Sequence, residues 1–538
     1  MDGNHLRKAA GLGSLPPFSI CVAVLLLVLV CKAGWGQDAG LFFETPAPPR
    51  PRTTPLRPPL DLDILYLRLQ EAEHRILELE SAAQTPARPV SNLSLGPTGH
   101  SAFEPQGSDQ NCTGSKTDDC QADIDELADD DDDNSIYSRY YVDYDGGFVI
   151  RPFDQKQTSF ELQVNGRMQF RYSGFKRDEK FFSNREDAAR MGELPVSSRS
   201  DWELERARIG FRGFFLDPDL QFYLNIDGDT DDQHRAVFHD FWVNYNFDKA
   251  FNVYLGKSFM PGSRDWLNGS TRSHFADRSI STTFFRPDRS IGVWAIGEVC
   301  NGLHYRTMIG NGFNTTDLRR SEGQVDDQPF FAGSMWWEPR GNFGRGYADL
   351  KWHNSSVIRI GQSFSHGNLE PRDNQTVRAE QQVIRLSDGS LLVTPGVLAP
   401  GVTVVEFDLY LYAVDFAIKC QGWSFNSEYF MRWLQDFETV GGPSPHAQLF
   451  THGFYFDTGY MLIREKLEAI ARVSTVDGLF KDSWEYAAGV NWYINGTHKH
   501  KLTFDVSVLD GSPAGNSSPN YEIGQDGTMV RLQYQAAF

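Results

Sequence analysis

The feature that most constrains this chain is a two-residue alternation of apolar and polar side chains, which runs from residue 148 to the C-terminus. Within residues 160–172, apolar residues such as Phe160 and Leu162 alternate with polar residues such as Glu161. The same alternation recurs in residues 202–215, 220–227, 485–493 and 502–508. Successive side chains of a β-strand point to opposite faces of the sheet, so each segment is predicted to be a strand with one apolar face. Such strands suit a membrane barrel, and also a soluble β-sandwich or propeller.

The lengths of the connections between these strands distinguish the two alternatives. The alternation predicts about sixteen strands, joined alternately by long segments such as 174–200 and 363–403 and by short turns such as Lys419–Gln421. A bacterial outer-membrane barrel has short periplasmic turns and long outer loops, whereas a sandwich has no reason for this asymmetry. The sequence therefore predicts an all-β fold, a transmembrane antiparallel β-barrel of about sixteen strands at 148–538.

The last predicted strand favours the same fold. Val530, Leu532 and Tyr534 alternate with polar residues, and the chain ends on Phe538. A terminal aromatic residue on an amphipathic strand resembles the tag by which outer-membrane barrels are recognised for insertion.

The first 36 residues have the features of an export signal. Arg7 and Lys8 precede an apolar stretch at 18–31, which is too short to span a bilayer comfortably. Small residues stand where a signal peptidase needs them for a cut before Gln37. We expect a cleaved signal peptide at 1–36, with an uncleaved anchor as the alternative.

The segment between the signal peptide and the barrel is predicted to contain no packed domain. Residues 37–60 are a proline-rich spacer without a core-forming pattern. At 61–81, leucines such as Leu65 and Leu69 recur at spacings of three and four, which predicts a short coiled coil or, alternatively, a helix lying on the protein's own surface. Residues 82–147 form an acidic low-complexity linker.

The charge of the chain limits its partners. Its 51 Lys and Arg against 71 Asp and Glu give a net charge of −20, which argues against nucleic acid. The run Asp129–Asp133 is predicted to be solvated rather than to bind calcium, because it lacks the glycine and the glutamate of an EF-hand loop. Cys112 and Cys120 lie close enough in this segment to form a small-loop disulfide in an oxidising compartment.

Five stretches of the barrel region resemble one family of porins. They read NGRMQFRYSGF, WELERARIGFRGFF, DFWVNYNF, FNVYLGKSFMPG and RPDRSIGVWAIG. The chain resembles the phosphate-selective porins O and P, which share an RRAR-like strand, a GQFK-like strand end followed by proline, and an R-x-x-G-V strand entry. In this chain the GQFK-like motif reads Gly256-Lys257-Ser258-Phe259, with Phe259 where the family has lysine. The resemblance implies a homotrimer of sixteen-stranded barrels in the outer membrane of a Gram-negative-type bacterium, an inward third loop, and basic pore residues that conduct small anions such as phosphate.

Strand parity and the resemblance together indicate the candidate pore-lining, anion-binding residues. On the first two strands these are Arg167, Arg171, Arg206, Arg208 and Arg212. The third loop corresponds to 262–288, whose arginines are Arg264, Arg272, Arg278 and Arg286. A charged ring selects ions by sign where a pore is narrow. Inward acids are nearly as numerous by the same parity, so the alternative is that these arginines pair with carboxylates, such as Asp227 and Asp240, and brace the wall.

The sequence lacks the residue patterns of catalysis. No GxSxG, HExxH or GxGxxG motif occurs in a suitable context, and no metal site or cofactor is indicated. We therefore expect a passive porin that is embedded in the outer-membrane bilayer and has its N-terminal spacer in the periplasm. The alternatives are a porin without anion preference, a non-conducting barrel that anchors the N-terminal stalk, and an outer-membrane hydrolase.

Overall fold

The computed structural model describes residues 140–153, 160–178, 196–228, 236–313, 328–369, 384–515 and 521–538. The predicted signal peptide, proline-rich spacer, coiled coil and Cys112–Cys120 disulfide lie outside these residues, as does most of the predicted acidic linker. No helix of the described residues is long and apolar enough to cross a membrane.

Sixteen antiparallel strands close into a barrel. The strands of the sheet are β1 (Tyr140–Tyr144), β2 (Phe148–Pro152), β3 (Phe160–Arg177), β4 (Arg199–Phe215), β5 (Asp217–Asp227), β6 (Val237–Asp248), β7 (Phe251–Phe259), β8 (Arg289–Cys300), β9 (Leu303–Gly310), β10 (Phe330–Trp337), β11 (Val357–Leu369), β12 (Thr403–Cys420), β13 (Trp423–Val440), β14 (Gln448–Ile463), β15 (Leu467–Gly478), β16 (Asp482–Tyr493), β17 (His500–Asp510) and β18 (Gly527–Ala537). Each strand from β3 to β18 pairs with the next, and β18 pairs with β3. The predicted antiparallel barrel of about sixteen strands is confirmed.

A short hairpin precedes the barrel and joins it at the closing seam. Strands β1 and β2 pair with each other, and β2 pairs with only the first part of β3, from Phe148↔Val164 to Ile150↔Leu162. The later part of β3 pairs with β18. The sheet therefore begins with the hairpin at Tyr140, before residue 148, where the alternation predicts that the barrel starts.

The alternation of the sequence becomes the two faces of the barrel wall. Val243 and Leu255 point outward and are 38% and 57% exposed, while their neighbours Trp242 and Tyr254 point into the barrel. Outward apolar residues on other strands are Val293, Ile309, Ile360, Val414, Phe456, Val490 and Val508. The outer face is thus apolar enough to contact lipid, and the inner face carries most of the charges.

Most of the short connections lie at one end of the barrel and most of the long connections lie at the other. Leu216 alone joins β4 to β5, and two residues join β6 to β7 at the same end. Residues 338–356, between β10 and β11, lie at this short-turn end but fold into the barrel, where Phe343 and Tyr347 are 1% and 2% exposed. The lumen is therefore filled from the short-turn end as well as from the long-loop end.

The connection between β7 and β8, residues 260–288, folds into the lumen and is called the inward loop below. It contains two short helices, α1 (Arg264–Leu267) and α2 (Ile280–Phe285). A serine starts each helix: Ser263 Oγ accepts from Trp266 N, and Ser279 Oγ accepts from Thr282 N. These side chains satisfy backbone donors that the first turn of a helix leaves unpaired.

Candidate pore constriction and anion site

The inward loop is attached to the barrel wall at α1 through one glutamate of β13. Glu428 accepts hydrogen bonds from Ser263 Oγ at 3.0 Å, from Arg264 N at 2.9 Å and from Asp265 N at 3.2 Å. The side chain is almost fully buried. Its carboxyl group is therefore used to bind the first turn of α1, whose unpaired backbone donors it satisfies.

Two further carboxylates of the same wall bind the middle of the inward loop. Asp505 on β17 accepts from Ala276 N at 2.9 Å, and Glu485 on β16 accepts from Ile280 N at 3.0 Å. Both carboxylates are fully buried. The oxygens of these two carboxylates are therefore occupied by the inward loop and are not presented to a solute in the lumen.

His274 adds a charged attachment between these points. Its Nδ1 hydrogen-bonds with Asp457, and its Nε2 lies 3.2 Å from a carboxylate oxygen of Glu468. Burial lowers the pKa of this imidazole, but the charges of Glu468 and Asp457 outweigh that effect and raise the pKa to about 9. At neutral pH His274 is therefore a cation held between two carboxylates.

Cations of this wall bind the carbonyl groups of the inward loop. Lys501 Nζ donates to Ser273 O at 2.7 Å, and Arg472 donates to Asp277 O at 3.0 Å. With the carboxylates above, these contacts attach the loop to every strand from β13 to β17. The inward-facing side of β12–β18 is called the covered wall below, because the inward loop packs against it.

The segment 338–356 meets the inward loop inside the barrel. Tyr347 OH donates to Asp265 Oδ1 at 2.7 Å, and its oxygen lies 2.9 Å from Tyr455 OH. Burial, followed by the charge of Asp265, raises the pKa of Tyr347 well above its usual range, so the phenol stays a neutral donor. This contact joins the two inserted segments above the covered wall.

The opposite side of the lumen, β3–β9, is called the open wall below and is less covered. Arg167 and Arg306 are half-buried there, and Arg212 is exposed. Arg212 donates to Gln163 at 2.5 Å, and Arg306 donates to Ser258 Oγ and to Phe259 O. In the part of the chain that the structure describes, none of these three arginines forms an ion pair with a carboxylate.

Two other cations of the open wall are neutralised locally. Arg208 contacts Asp227 at 2.5 Å, and Arg289 contacts Asp240 at 2.9 Å. The first pair joins the neighbouring strands β4 and β5, and the second joins β8 to β6 across β7. Ion pairs that brace the wall were the alternative interpretation of the predicted arginines. Arg208 forms such a pair, whereas Arg167 and Arg212 form none among the described residues.

The remaining predicted arginines take several roles in the structure. Arg171 is fully buried, lies 3.2 Å from Glu205 and donates to Ala276 O of the inward loop at 2.8 Å. Arg206 contacts Glu205 at 2.8 Å and Gln169 at 2.9 Å. Both therefore support the wall and the loop rather than open water.

The four arginines of the inward loop also differ from one another. Arg264 donates to Asn426 at 2.7 Å, and Arg278 donates to carbonyl groups of its own loop, the closest being Asn268 O at 2.7 Å. Arg286 lies 3.7 Å from Asp288 and stacks on Trp266. Arg272 has no ion pair among the described residues, and burial, with the nearby charge of Arg345, lowers its pKa.

An inward row of aromatic side chains crosses the open wall and was not identified from the sequence. It consists of Tyr223 (β5), Trp242 (β6), Tyr254 (β7) and Trp294 (β8), with successive ring centroids 5.5, 5.1 and 5.3 Å apart. Each ring belongs to a different strand. Only the register of the sheet aligns them, so single-strand alternation contained no signal for the row.

The profile of the family "Phosphate-selective porin O and P" matches residues 163–538. No curated protein sequence matches the chain significantly.

Several solved porins are similar in fold. An anion-selective porin from Comamonas acidovorans is 11% identical with a TM-score of 0.46, and the match covers 70% of this chain and 100% of that one. OmpT of Vibrio cholerae is 9% identical with a TM-score of 0.43, over 71% of this chain and 98% of that one. The channel DcaP of Acinetobacter baumannii is 10% identical with a TM-score of 0.41, over 71% of this chain and 98% of that one.

The family match spans the barrel from near the start of β3 to the last residue, and the barrel has the strand number that the resemblance implied. The chain belongs to the phosphate-selective porin O and P family and is an outer-membrane porin.

Proposed function

We propose that this porin is a passive diffusion channel that prefers anions, inorganic phosphate among them. The observation that carries the proposal is the unequal use of charge on the two walls. Carboxylates of the covered wall bind donors of the inward loop, as Glu428 and Asp505 do. Arg167, Arg212 and Arg306 of the open wall have no carboxylate partner among the described residues.

The physical consequence is a lumen whose exposed charge is positive, although basic and acidic residues are nearly balanced in number. A guanidinium group stays charged at any working pH and presents forked donors that match the oxygens of phosphate. Each residue must also release its ion, so a contribution of about 1 kcal/mol per arginine suits conduction better than a tight site.

Recording in planar bilayers tests this proposal. In a KCl gradient at pH 7, the reversal potential should indicate anion preference, and added phosphate should reduce the chloride current. Arg167→Gln with Arg212→Gln should move the reversal potential toward the cation value, because both substitutions remove unpaired charge. Lys176→Gln at the long-loop end of β3, on a side chain that the structure leaves exposed, is the matched control. A wild-type channel without ion preference would contradict the proposal.

A second candidate function is the non-conducting barrel, and the burial of the covered wall favours it. Glu468, Glu485 and Asp505 are 0% exposed, and the two inserted segments meet at Tyr347. Absence of single-channel steps from correctly folded, membrane-inserted protein would support this candidate and exclude the anion channel.

We also propose that the barrel forms homotrimers, that its N-terminal spacer lies in the periplasm, and that the protein has no catalytic activity. These statements rest on the family resemblance and on the absence of catalytic motifs from the sequence. Chemical crosslinking of the purified porin should give a trimer band. Substituting Leu65 and Leu69 by Asp should weaken association of the stalk while the barrel trimer persists, and a monomeric barrel would contradict the proposed assembly.

A further inference from the structure

Within the anion preference proposed above, the geometry points to a narrower solute class. We propose that the aromatic row Tyr223–Trp242–Tyr254–Trp294 binds organic anions with a planar ring, such as aromatic carboxylates, by ring stacking beside the unpaired arginines of the open wall.

The row is continuous and faces the lumen. Tyr223 lies directly opposite Trp242 in the sheet, and Tyr254 lies directly opposite Trp294. The Tyr254 and Trp294 rings are stacked at an interplanar angle of 11°. The flanking residues Val243, Leu255 and Val293 point outward, so strand parity places all four rings inside.

The first three rings are partly exposed, and two of them, Trp242 and Tyr254, also pack against buried apolar residues. Tyr223, Trp242 and Tyr254 are half-buried, whereas Trp294 is 3% exposed beneath Tyr254. Porins need inward polar residues to solvate a water-filled lumen, so four successive aromatic residues on this face are unusual for a channel that carries only inorganic ions. A ring face of this kind binds a planar apolar group with centroid spacings of about 4.5–7 Å.

Cations stand at both ends of the row. Arg212 lies directly opposite Tyr223 in the pairing of β4 with β5. At the other end, the Arg306 guanidinium lies 5.9 Å from the Trp294 ring centroid, and its buried Nε has no hydrogen-bond partner among the described residues. A solute whose ring stacks on Trp242 or Tyr254 would place its carboxylate between the guanidinium groups at the two ends of the row.

The arrangement should prefer solutes that combine an oxyanion with an apolar ring, and inorganic phosphate has no such ring. Arginine pairs with any oxyanion, but aromatic rings add affinity only for solutes that bring an apolar face. Acetate and benzoate carry the same carboxylate and differ by the ring. They therefore separate the contribution of the row from that of the arginines.

The test is current block in planar bilayers containing the full-length porin in KCl at pH 7. Benzoate should halve the single-channel current at about a three- to tenfold lower concentration than acetate, as one stacked ring pair would provide. Benzyl alcohol, which keeps the ring but not the charge, should block less than benzoate. Equal block by benzoate and acetate would overturn the stacking role, and equal block by benzyl alcohol and benzoate would overturn the role of the arginines.

Variants assign the effect to the row. Trp242→Leu and Tyr254→Leu should each remove most of the difference between benzoate and acetate, whereas Trp242→Phe should keep it. Tyr245→Leu, on the outward face of the same β6 strand, is the matched control and should leave the difference unchanged. Retention of the difference in both inward leucine variants would overturn the inference.

The chloride reversal potential keeps this inference distinct from the proposed function. A channel without anion preference that still binds benzoate more tightly than acetate would contradict the proposed function and support the aromatic row. A channel with anion preference that benzoate and acetate block equally would support the proposed function and contradict the role of the aromatic row.

Discussion

On the covered wall, Glu428 is 2% exposed and accepts three hydrogen bonds from the inward loop, whereas on the open wall Arg212 is exposed and has an uncharged partner, Gln163. Both residues face the same lumen by strand parity. A carboxylate engaged by backbone N–H groups is held in place and screened, while an arginine beside an amide keeps its charge available to a solute.

Counting the inward-facing charges is therefore not enough to obtain the sign of the charge that a pore presents to ions. The inward loop binds the acids of one wall, whereas Arg167, Arg212 and Arg306 of the other wall form no ion pair among the described residues. Loop anchoring and ion selectivity are therefore two consequences of one distribution of carboxylates.

The largest effect is expected from removing the carboxyl group of Glu428, which binds α1 to the covered wall. Glu428→Ala should raise single-channel conductance and lower the stability of the folded loop by about 4 kcal/mol, because the donors at Ser263, Arg264 and Asp265 lose their acceptor in a buried site. Single-channel recording and thermal unfolding followed by heat-modifiable gel migration measure the two effects. Glu428→Gln keeps an acceptor oxygen and should fall between the variant and the wild type. Unchanged conductance in the alanine variant would show that α1 is held by other contacts.

Alkaline pH should loosen the same wall through His274. The pKa of this group is raised to about 9, so its stabilising charge is fully present below about 6.5, the ordinary pKa, and is lost as the pH rises through about 9. The difference corresponds to about 3 kcal/mol. Conductance noise and susceptibility of the loop to protease should rise between pH 7 and pH 10.

The control for this pH effect is His274→Gln, which has no titrating imidazole. Its conductance noise should be high already at pH 7 and change little up to pH 10. A variant with the same pH profile as the wild type would assign the transition to another group, since Tyr347 and the carboxylates Asp457 and Glu468 also lie around this position.

Replacing one aspartate on each wall by asparagine tests whether the two walls differ in their effect on ion selectivity. Asp227→Asn should increase anion preference by about 1 kcal/mol, roughly fivefold in permeability ratio, because it leaves Arg208 without its carboxylate. Asp505→Asn on the covered wall should leave the reversal potential unchanged, since that carboxylate faces the inward loop and Arg531. Equal shifts of the reversal potential in the two variants would abolish the distinction between the walls.

The smallest effect is expected at the closing seam, where β18 of the covered wall pairs with β3 of the open wall. Phe538 exchanges two backbone hydrogen bonds with Gly166, at 3.0 and 3.4 Å. Deleting Phe538 should lower barrel stability by about 0.5 kcal/mol, and it should reduce the yield of folded protein in the outer membrane. Pore selectivity should not change. Normal yield and normal heat-modifiable migration would show that this residue is dispensable for assembly.

Much of the fold could be predicted because strand alternation is a local signal. The outward positions Val243 and Leu255 and the inward arginines Arg167 and Arg212 follow from parity along single strands. The segment 347–356 could not be assigned in this way. It alternates like a strand, but Asp349 instead accepts from the backbone of His353 and Gly422 and stabilises a turn.

The candidate site was less predictable because it depends on contacts between distant parts of the chain. Strand parity places Glu428 on the inward face but contains no information on the donors of α1, which approach from the loop 164 residues earlier at Arg264. The same holds for Arg171, whose charge is used by Glu205 and the inward loop. The aromatic row required the register of four strands, and register is set by the whole sheet.

The hairpin at the start of the barrel has a mechanical consequence. Tension on the chain before Tyr140 passes first through the five residue pairs of β1 with β2 and then through the three pairs of β2 with β3. These pairs lie beside the stretch of β3 that continues into the seam with β18, from Arg167 onward. A pull on the N-terminal segment is thus borne first by this extension of the sheet, and the residue pairs that close the sixteen-stranded ring lie beyond it.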